Sequence, residues 1–163
     1  MASLDPVGLL DPLDARVLLA LDDDPDSTVL ALAHRLGVAR NTVQARLRRL
    51  REAGVVRDYS RRVDPTVIGY PLLAFAFVEL SQTDGQEAIT GLAALPEVLE
   101  IHATTGDADL LVKVVARDTA DLHRLTGAIL GVRGVVRTKT TVSLIQAMPL
   151  RVRPLIERSA GTP

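Results

Sequence analysis

The sequence predicts an α+β protein with two folded parts, a bundle of three helices followed by an antiparallel sheet that carries two more helices. Apolar residues recur at helical spacing between residues 13 and 50, whereas residues 72–145 alternate between strand-like and helix-like segments. Hydrophobic residues make up 47% of the 163 residues, but aromatic residues only 2%. The cores must therefore be built mainly from Leu, Val, Ile and Ala.

Three predicted helices occupy the first third of the chain. Asp11 or Asp14 can cap the first helix, Ser27 is the expected N-cap of the second, and Gly54 is placed to end the third. The predicted segments are Leu13–Leu21, Ser27–Leu36 and Val38–Gly54. Their predicted buried positions are Leu13, Val17, Leu18 and Leu21, then Leu30, Leu32, Ala33 and Leu36, then Val43, Leu47 and Leu50.

The junction between the second and third helices has the features of a helix-turn-helix. The small Ala33 allows the two helices to approach each other, Gly37 can adopt the left-handed turn conformation, and Val43 closes the corner. An isolated arginine-rich helix would more often be an ordinary amphipathic helix with a solvated face. The preceding helix and the tight turn favour a DNA-binding helix-turn-helix instead.

The third helix presents polar side chains away from its apolar stripe. Guanine edges accept hydrogen bonds from Arg, and adenine edges pair with Asn or Gln, so this face suits a DNA major groove. After the helix, Val55–Val63 reads as an extended strand or short wing whose arginines can touch phosphates. The predicted DNA-binding set is Arg40, Asn41, Gln44 and Arg48 for bases, Arg46, Arg49, Arg57, Arg61 and Arg62 for phosphates, and Thr42.

The charge distribution supports this prediction. The net charge is only −1, but residues 1–39 hold seven Asp and two Arg, whereas residues 40–62 hold eight Arg, one Glu and one Asp. The two segments therefore carry net charges of −5 and +6. A concentrated basic segment in a nearly neutral chain is typical of a protein that meets phosphate with one surface.

Composition also excludes several kinds of chemistry. The absence of cysteine excludes disulfides, thiol nucleophiles and thiolate metal sites. The sequence shows no nucleophile–base constellation, phosphate-binding glycine loop or metal-ligand spacing, so we predict no catalytic residues, no metal and no cofactor. No apolar run approaches the ~20 residues of a membrane span and no leader is evident. We expect a cytoplasmic protein with no membrane partner.

The second half of the chain contains two similar strand–helix–strand units. Their helices are Gln86–Leu95, which buries Ile89, Leu92 and Ala93, and a helix capped by Asp118, which buries Leu122, Leu125 and Ile129. The predicted strands are Leu72–Leu80, Val98–Thr104, with Leu99, Ile101 and Ala103 on its apolar face, Leu110–Ala116 and Val135–Ile145. Two such units predict a ferredoxin-like βαββαβ sandwich, in which both helices cover one face of a four-stranded antiparallel sheet.

The other face of this sheet is also apolar by sequence. The first strand places Leu73, Phe75 and Phe77 on one face and an equally apolar set on the other, and the third strand does the same. Self-association is the simplest way to cover a second apolar face. The resulting homodimer would place two recognition helices on a palindromic operator.

Residues that interrupt helices and strands divide the chain into domains. Asp64-Pro65 and Gly69-Tyr70-Pro71 set a boundary near residues 60–71. We predict a helix-turn-helix domain at 1–60, a linker or hinge strand at 61–71, a ferredoxin-like ligand-binding and oligomerisation domain at 72–148, and a short, irregular C-terminal tail at 149–163. Part of the tail is expected to pack on a neighbouring surface.

Over residues 9–146 the order of these motifs resembles the Lrp/AsnC (feast/famine) family of transcriptional regulators. The match departs from the family pattern at Ala39, where a Ser cap is usual, and at Ala108, which often corresponds to an aromatic residue. The segments that carry the resemblance are Leu13–Leu18, Leu32–Val38, Val43–Leu50, Glu52–Val56, Asp64-Pro65-x-x-x-Gly69 and Thr105–Leu111, with its Gly-Asp-x-Asp loop.

The resemblance implies a transcription factor that dimerises through its ferredoxin-like domains and often assembles into tetramers, octamers or hexadecamers. Small effectors, most often amino acids, would bind near the loop at residues 104–109. The implied effector residues are Gly106, Asp107 and Asp109, then Thr104, Thr105, Thr138 and Thr140.

Other interpretations remain open from the sequence. The Gly106–Asp107 pair is also ordinary turn chemistry. An effector-independent architectural protein that bridges DNA would share these features. Some proteins similar to this family are enzymes that decarboxylate haem precursors; His102 and His123 are the histidines of the second half that such a site could use.

Overall fold

The computed structural model describes residues 10–161, which form two compact units. Residues up to Arg61, together with those from Met148 onward, make the first unit, and Arg62–Ala147 makes the second. Each unit has a hydrophobic core of its own. None of the helices in residues 10–161 has both the length and the apolar composition of a membrane span.

The first unit contains the three predicted helices, α1 (Pro12–Asp23), α2 (Val29–Leu36) and α3 (Arg40–Glu52). Asp11 caps α1, as predicted. The N-cap of α2 is Thr28 rather than Ser27, because the Thr28 hydroxyl accepts a hydrogen bond from Ala31 N at 3.2 Å, whereas Ser27 donates to Asp24.

The turn between α2 and α3 confirms the helix-turn-helix. Gly37 ends α2 with a φ of 67°, a left-handed conformation that costs glycine nothing. Ala33 and Val43 are buried in the core of the unit, as predicted. Leu30 was predicted to be buried but is exposed, because the buried stripe of α2 runs through Leu32 and Ala33 on another side of the helix.

The segment after α3 differs from the prediction. Val55–Val63 forms no strand; its last part is the 3-10 helix Tyr59–Arg62, and a second 3-10 helix, Pro65–Ile68, follows. Among the described residues, no neighbouring strand pairs with this segment, and an isolated extended segment gains no ladder hydrogen bonds.

The second unit is a four-stranded antiparallel sheet in the order β2-β3-β1-β4. Its strands are β1 (Leu72–Leu80), β2 (Val98–Ala103), β3 (Leu110–Ala116) and β4 (Val135–Val142), and its helices are α4 (Gly85–Ala93) and α5 (Thr119–Leu130). Both helices pack on the same core, so the ferredoxin-like prediction is confirmed.

Strand pairing assigns each residue to a face. Ala76 of β1 lies opposite Val112 and Thr140, on the face covered by the helices, and Phe77 lies opposite Leu111 and Lys139, on the open face. On the open face, β1 is apolar up to Glu79 and β3 is apolar except for Lys113. The same face carries Arg137, Lys139 and Thr141 on β4 and Glu100 and His102 on β2. The predicted apolar second face is therefore limited to the central strands.

Smaller differences follow from irregular pairing. A register shift between Val98 and Glu100 turns Leu99 outward, whereas Val98 and Ile101 pack on the core. Because α4 ends at Ala93, that residue is exposed rather than buried. The pairing of β4 stops at Val142, short of the predicted Ile145.

Residues 149–163 are not an irregular tail throughout. They contain a helix, α6 (Arg153–Ser159), that contacts α1 within the first unit. The Arg153 guanidinium binds Asp22 at 3.0 Å and Asp23 at 2.8 Å. The aspartates that follow Leu21 therefore take part in an ion-pair cluster as well as ending a helix.

Candidate nucleic-acid interface and ligand pocket

Helix α3 separates an apolar side from a polar side. Val43, Leu47 and Leu50 are buried, as predicted. The predicted base-reading residues are all exposed; they are Arg40, Asn41, Gln44 and Arg48. This face can enter a major groove without disturbing the packing of the unit.

The start of α3 lacks a side-chain cap. Ala39 has the extended backbone of an N-cap, φ −65° and ψ 144°, but no side-chain oxygen to accept a hydrogen bond. The half-buried Thr42 donates its backbone N–H to Ala39 O at 3.0 Å. This places Thr42 in the first turn of α3, beside the predicted reading residues.

Two of the predicted phosphate ligands have carboxylate partners in this structure. Arg46 binds Asp11 and, at 3.1 Å, the Oδ1 atom of Asp14, while Arg49 binds Asp14 Oδ2. Asp14 is fully buried, and the Arg46 side chain is only 29% exposed. The hydrogen bond from Arg46 holds the pKa of Asp11 below its usual value.

The remaining predicted phosphate ligands lie after α3. Arg57 precedes the first 3-10 helix, and Arg61 and Arg62 lie within it. All three are exposed. They keep the positive charge of this segment at the surface, where a phosphate backbone could approach.

The second unit has an open concavity of about 710 Å³ on the uncovered side of its sheet. It contains four of the predicted effector residues, Thr104, Thr105, Gly106 and Asp107. Sequence reasoning missed the rest of the lining, which consists of Phe77, Glu79, Ala108, Leu111, Arg137, Lys139 and Thr141.

The concavity combines an apolar floor with both signs of charge. Phe77 lies between Leu111 and Lys139 in one row across three strands. In the next pair along β1 and β4, Glu79 lies opposite Arg137, with an ion-pair distance of 3.5 Å. A small zwitterion with an apolar side chain matches this arrangement.

The loop that borders the concavity is a closed turn. Thr104 N donates to Asp109 O at 2.9 Å, and the Thr104 hydroxyl donates to Ala108 O at 2.6 Å. Gly106 has a φ of 147°, which favours glycine. The turn interpretation of Gly106–Asp107 and the ligand interpretation are therefore compatible in this structure.

Three predicted effector residues lie outside the lining of this concavity. The Asp109 carboxylate accepts a hydrogen bond from Leu80 N at 2.7 Å and so ties the loop to β1. Thr138 and Thr140 lie on the helix-covered face, and their hydroxyls are buried without a hydrogen-bond partner. Because side chains alternate along a strand, the neighbouring Arg137 and Lys139 reach the concavity instead.

Comparisons with known proteins give a family match for each of the two units. A winged helix-turn-helix DNA-binding family model matches residues 10–57, and the Lrp/AsnC ligand binding domain matches residues 73–151. The HTH-type transcriptional regulator FL11 of Pyrococcus horikoshii is 32% identical over 135 residues, which cover 83% of this chain and 89% of that protein. The chain belongs to the Lrp/AsnC family.

Solved structures of the family have the same fold. AsnC of E. coli superposes with a TM-score of 0.80 at 29% identity, covering 90% of this chain and 100% of that one. A feast or famine regulatory protein from M. tuberculosis, solved in complex with L-methionine, has a TM-score of 0.77 at 30% identity and covers 87% and 97% of the two chains.

Membership of the Lrp/AsnC family decides one of the open interpretations, that of an enzyme. The relatives are transcriptional regulators, so this chain is a DNA-binding transcriptional regulator with a ligand-binding domain and not an enzyme. His102, one histidine of the enzyme alternative, is exposed and lies 3.1 Å from Glu100. His123 is exposed on α5.

Proposed function

We propose that the protein recognises a specific DNA sequence with the exposed face of α3. The observation that carries the proposal is the exposure of Arg40, Asn41, Gln44 and Arg48 above a buried Val43–Leu47–Leu50 stripe. These four side chains would read base edges. The proposed phosphate contacts are Arg57, Arg61 and Arg62, which are exposed and follow α3 in the chain.

The test is DNA selection from a random pool with the full chain, followed by measurement of the Arg48→Ala variant on the selected sequence. Loss of a guanine contact should weaken specific binding by about 1–3 kcal/mol, roughly 5- to 150-fold. Arg16→Ala, which removes an exposed arginine from α1, is the matched control. Equal affinities of the two variants would contradict the assignment of Arg48.

The proposed operator is palindromic, because we propose that the protein is a homodimer that can assemble further. The support is the apolar centre of the open sheet face, where Leu73, Phe75 and Leu111 are half-buried and Phe77 is 41% exposed. Phe77→Glu should dissociate the dimer in sedimentation experiments. Leu130→Glu, an exposed site on α5, should leave it intact.

We further propose that the concavity binds an amino acid effector. Arg137 and Lys139 would bind its carboxylate, Glu79 and Asp107 its ammonium group, and Phe77 its side chain. L-methionine is the first candidate, because the M. tuberculosis relative was solved with it.

Calorimetric titration with L-methionine and then with the other amino acids tests this site. Lys139→Met should abolish binding, whereas Lys113→Met, on the same face but outside the lining, should preserve it. Specific DNA binding whose affinity is the same with and without every amino acid would favour the effector-independent architectural alternative.

A further inference from the structure

We propose that Asp11 and Asp14 are positioning residues for DNA recognition, which set the rotation of α3 through Arg46 and Arg49. This inference rests on the proposed reading face of α3. The carboxylates never touch DNA; they act through two arginines that hold the recognition helix against α1.

The two carboxylates use all four of their oxygens. Asp11 Oδ1 accepts the backbone N–H groups of Leu13 and Asp14 at 2.9 Å each, and its Oδ2 accepts Arg46. Asp14 Oδ1 accepts Arg46, and its Oδ2 accepts Arg49 and the backbone N–H of Asp11. The two aspartates of the α1 capping box therefore also accept hydrogen bonds from two side chains of α3.

Arg46 points away from the reading face. It is two residues from both Gln44 and Arg48, which places it roughly 160° from each around the helix. Reaching a phosphate from there would require it to leave Asp14, a fully buried carboxylate. Arg49 would then be the remaining arginine partner of a buried carboxylate, and weakening a buried ion-pair network is unfavourable, so the Arg46 ion pair is expected to persist in the DNA complex.

Positioning is needed because the other side-chain restraints on the rotation of α3 are mainly apolar contacts. Ala39 provides no side-chain cap, and the apolar stripe consists of Val43, Leu47 and Leu50. Apolar contacts are non-directional and tolerate small rotations of a helix. Charge-assisted hydrogen bonds with fixed geometry do not, so they can fix which side chains face the groove.

The experiment compares specificity with salt dependence for the full chain. Binding is measured on the sequence selected by the wild type and on a scrambled sequence of equal length, for Arg46→Gln and Asp11→Asn. Asn caps helices as well as Asp does, so Asp11→Asn keeps the cap and removes the charge. Asp26→Asn, in the α1–α2 loop, is the charge-matched control, and Arg61→Gln is the phosphate-contact control.

Positioning predicts that Arg46→Gln and Asp11→Asn lower the ratio of specific to scrambled affinity by about tenfold relative to their controls. For Arg46→Gln the slope of log affinity against log salt should stay at its wild-type value. A slope reduced by about 0.9 with an unchanged ratio would make Arg46 a phosphate ligand and overturn the inference. An unchanged ratio of specific to scrambled affinity in both variants would also overturn the inference. If Arg48→Ala binds the selected sequence as tightly as the wild type, the proposed reading face is wrong instead.

Discussion

Helix α1 of the first unit and helix α5 of the second unit begin with the same Asp-x-x-Asp pattern, at residues 11–14 and 118–121. In both, the first Asp caps the helix. The second Asp is buried, with 0% exposure for Asp14 and 6% for Asp121. Each buried carboxylate binds two arginines.

The arginines of the two helices come from different distances along the chain. Arg46 and Arg49 lie on α3, 32 and 35 residues after Asp14. Arg117 and Arg124 lie only four and three residues from Asp121. The same pattern therefore joins two helices in one unit and completes a local turn in the other. A buried aspartate therefore joins two helices when its arginines are distant in sequence, and stabilises a local turn when they are close in sequence.

The largest expected effect is the loss of Asp14. Asp14→Ala should lower the free energy of unfolding of the first unit by about 3 kcal/mol, because it removes a fully buried carboxylate that binds Arg49 and Arg46, whose side chain is only 29% exposed. Asp121→Ala should have a smaller effect, because Arg117 and Arg124 are 63% and 50% exposed and can be hydrated. Urea unfolding with hydrogen exchange resolves the two units; equal losses would remove the distinction between them.

The ends of the helices offer the next comparison. Gly37→Ala should destabilise the protein by about 1–2 kcal/mol, because its φ of 67° strains any residue with a Cβ. Gly131, at the end of α5, has a φ of −76° and ordinary contacts around an added Cβ. Gly131→Ala should therefore be neutral or stabilising by up to about 1 kcal/mol in thermal unfolding. A destabilised Gly131→Ala would show that packing, not backbone conformation, governs these sites.

A cap on α3 would remove a difference between α3 and the two Asp-capped helices. Ala39→Ser should raise the free energy of unfolding by about 0.5–1 kcal/mol, because Ala39 already has N-cap backbone angles. Ala53→Ser, at the other end of α3, is the control and should give no such gain. No gain at Ala39 would indicate that the ion pairs of Arg46 and Arg49 with α1 already stabilise α3 without a cap.

The dependence of stability on acid pH should reveal the separate contributions of Asp11 and Asp121. The hydrogen bond from Arg46 lowers the pKa of Asp11, and the hydrogen bond from Arg117 lowers that of Asp121. Their stabilisation is present above the unfolded pKa of about 3.9 and is lost as pH falls through the lower folded pKa. Below about pH 4, the free energy of unfolding should fall less steeply with pH for Asp11→Asn in the first unit and for Asp121→Asn in the second unit than for the wild type. Unchanged pH profiles would contradict both assignments.

The sequence by itself determined which polar side chains of α3 share one exposed side, the proposed reading face, and it determined the helix-turn-helix turn. Asn41, Gln44 and Arg48 are close in sequence, and the rotation of about 100° per residue fixes their common side. Gly37 needed no tertiary information either, because a left-handed turn is a local property. The order of strands and helices was also readable, since it depends on local periodicity.

Tertiary structure alone decided which side chains meet across elements. Alternation along β4 separates Thr138 and Thr140 from Arg137 and Lys139, but only pairing with β1 decides which set faces the concavity. Likewise, only folding places the carboxylates of α1 beside Arg46 and Arg49, which the sequence predicts as phosphate ligands. Helical and strand periods are set by local sterics, whereas partners distant in sequence are set by packing.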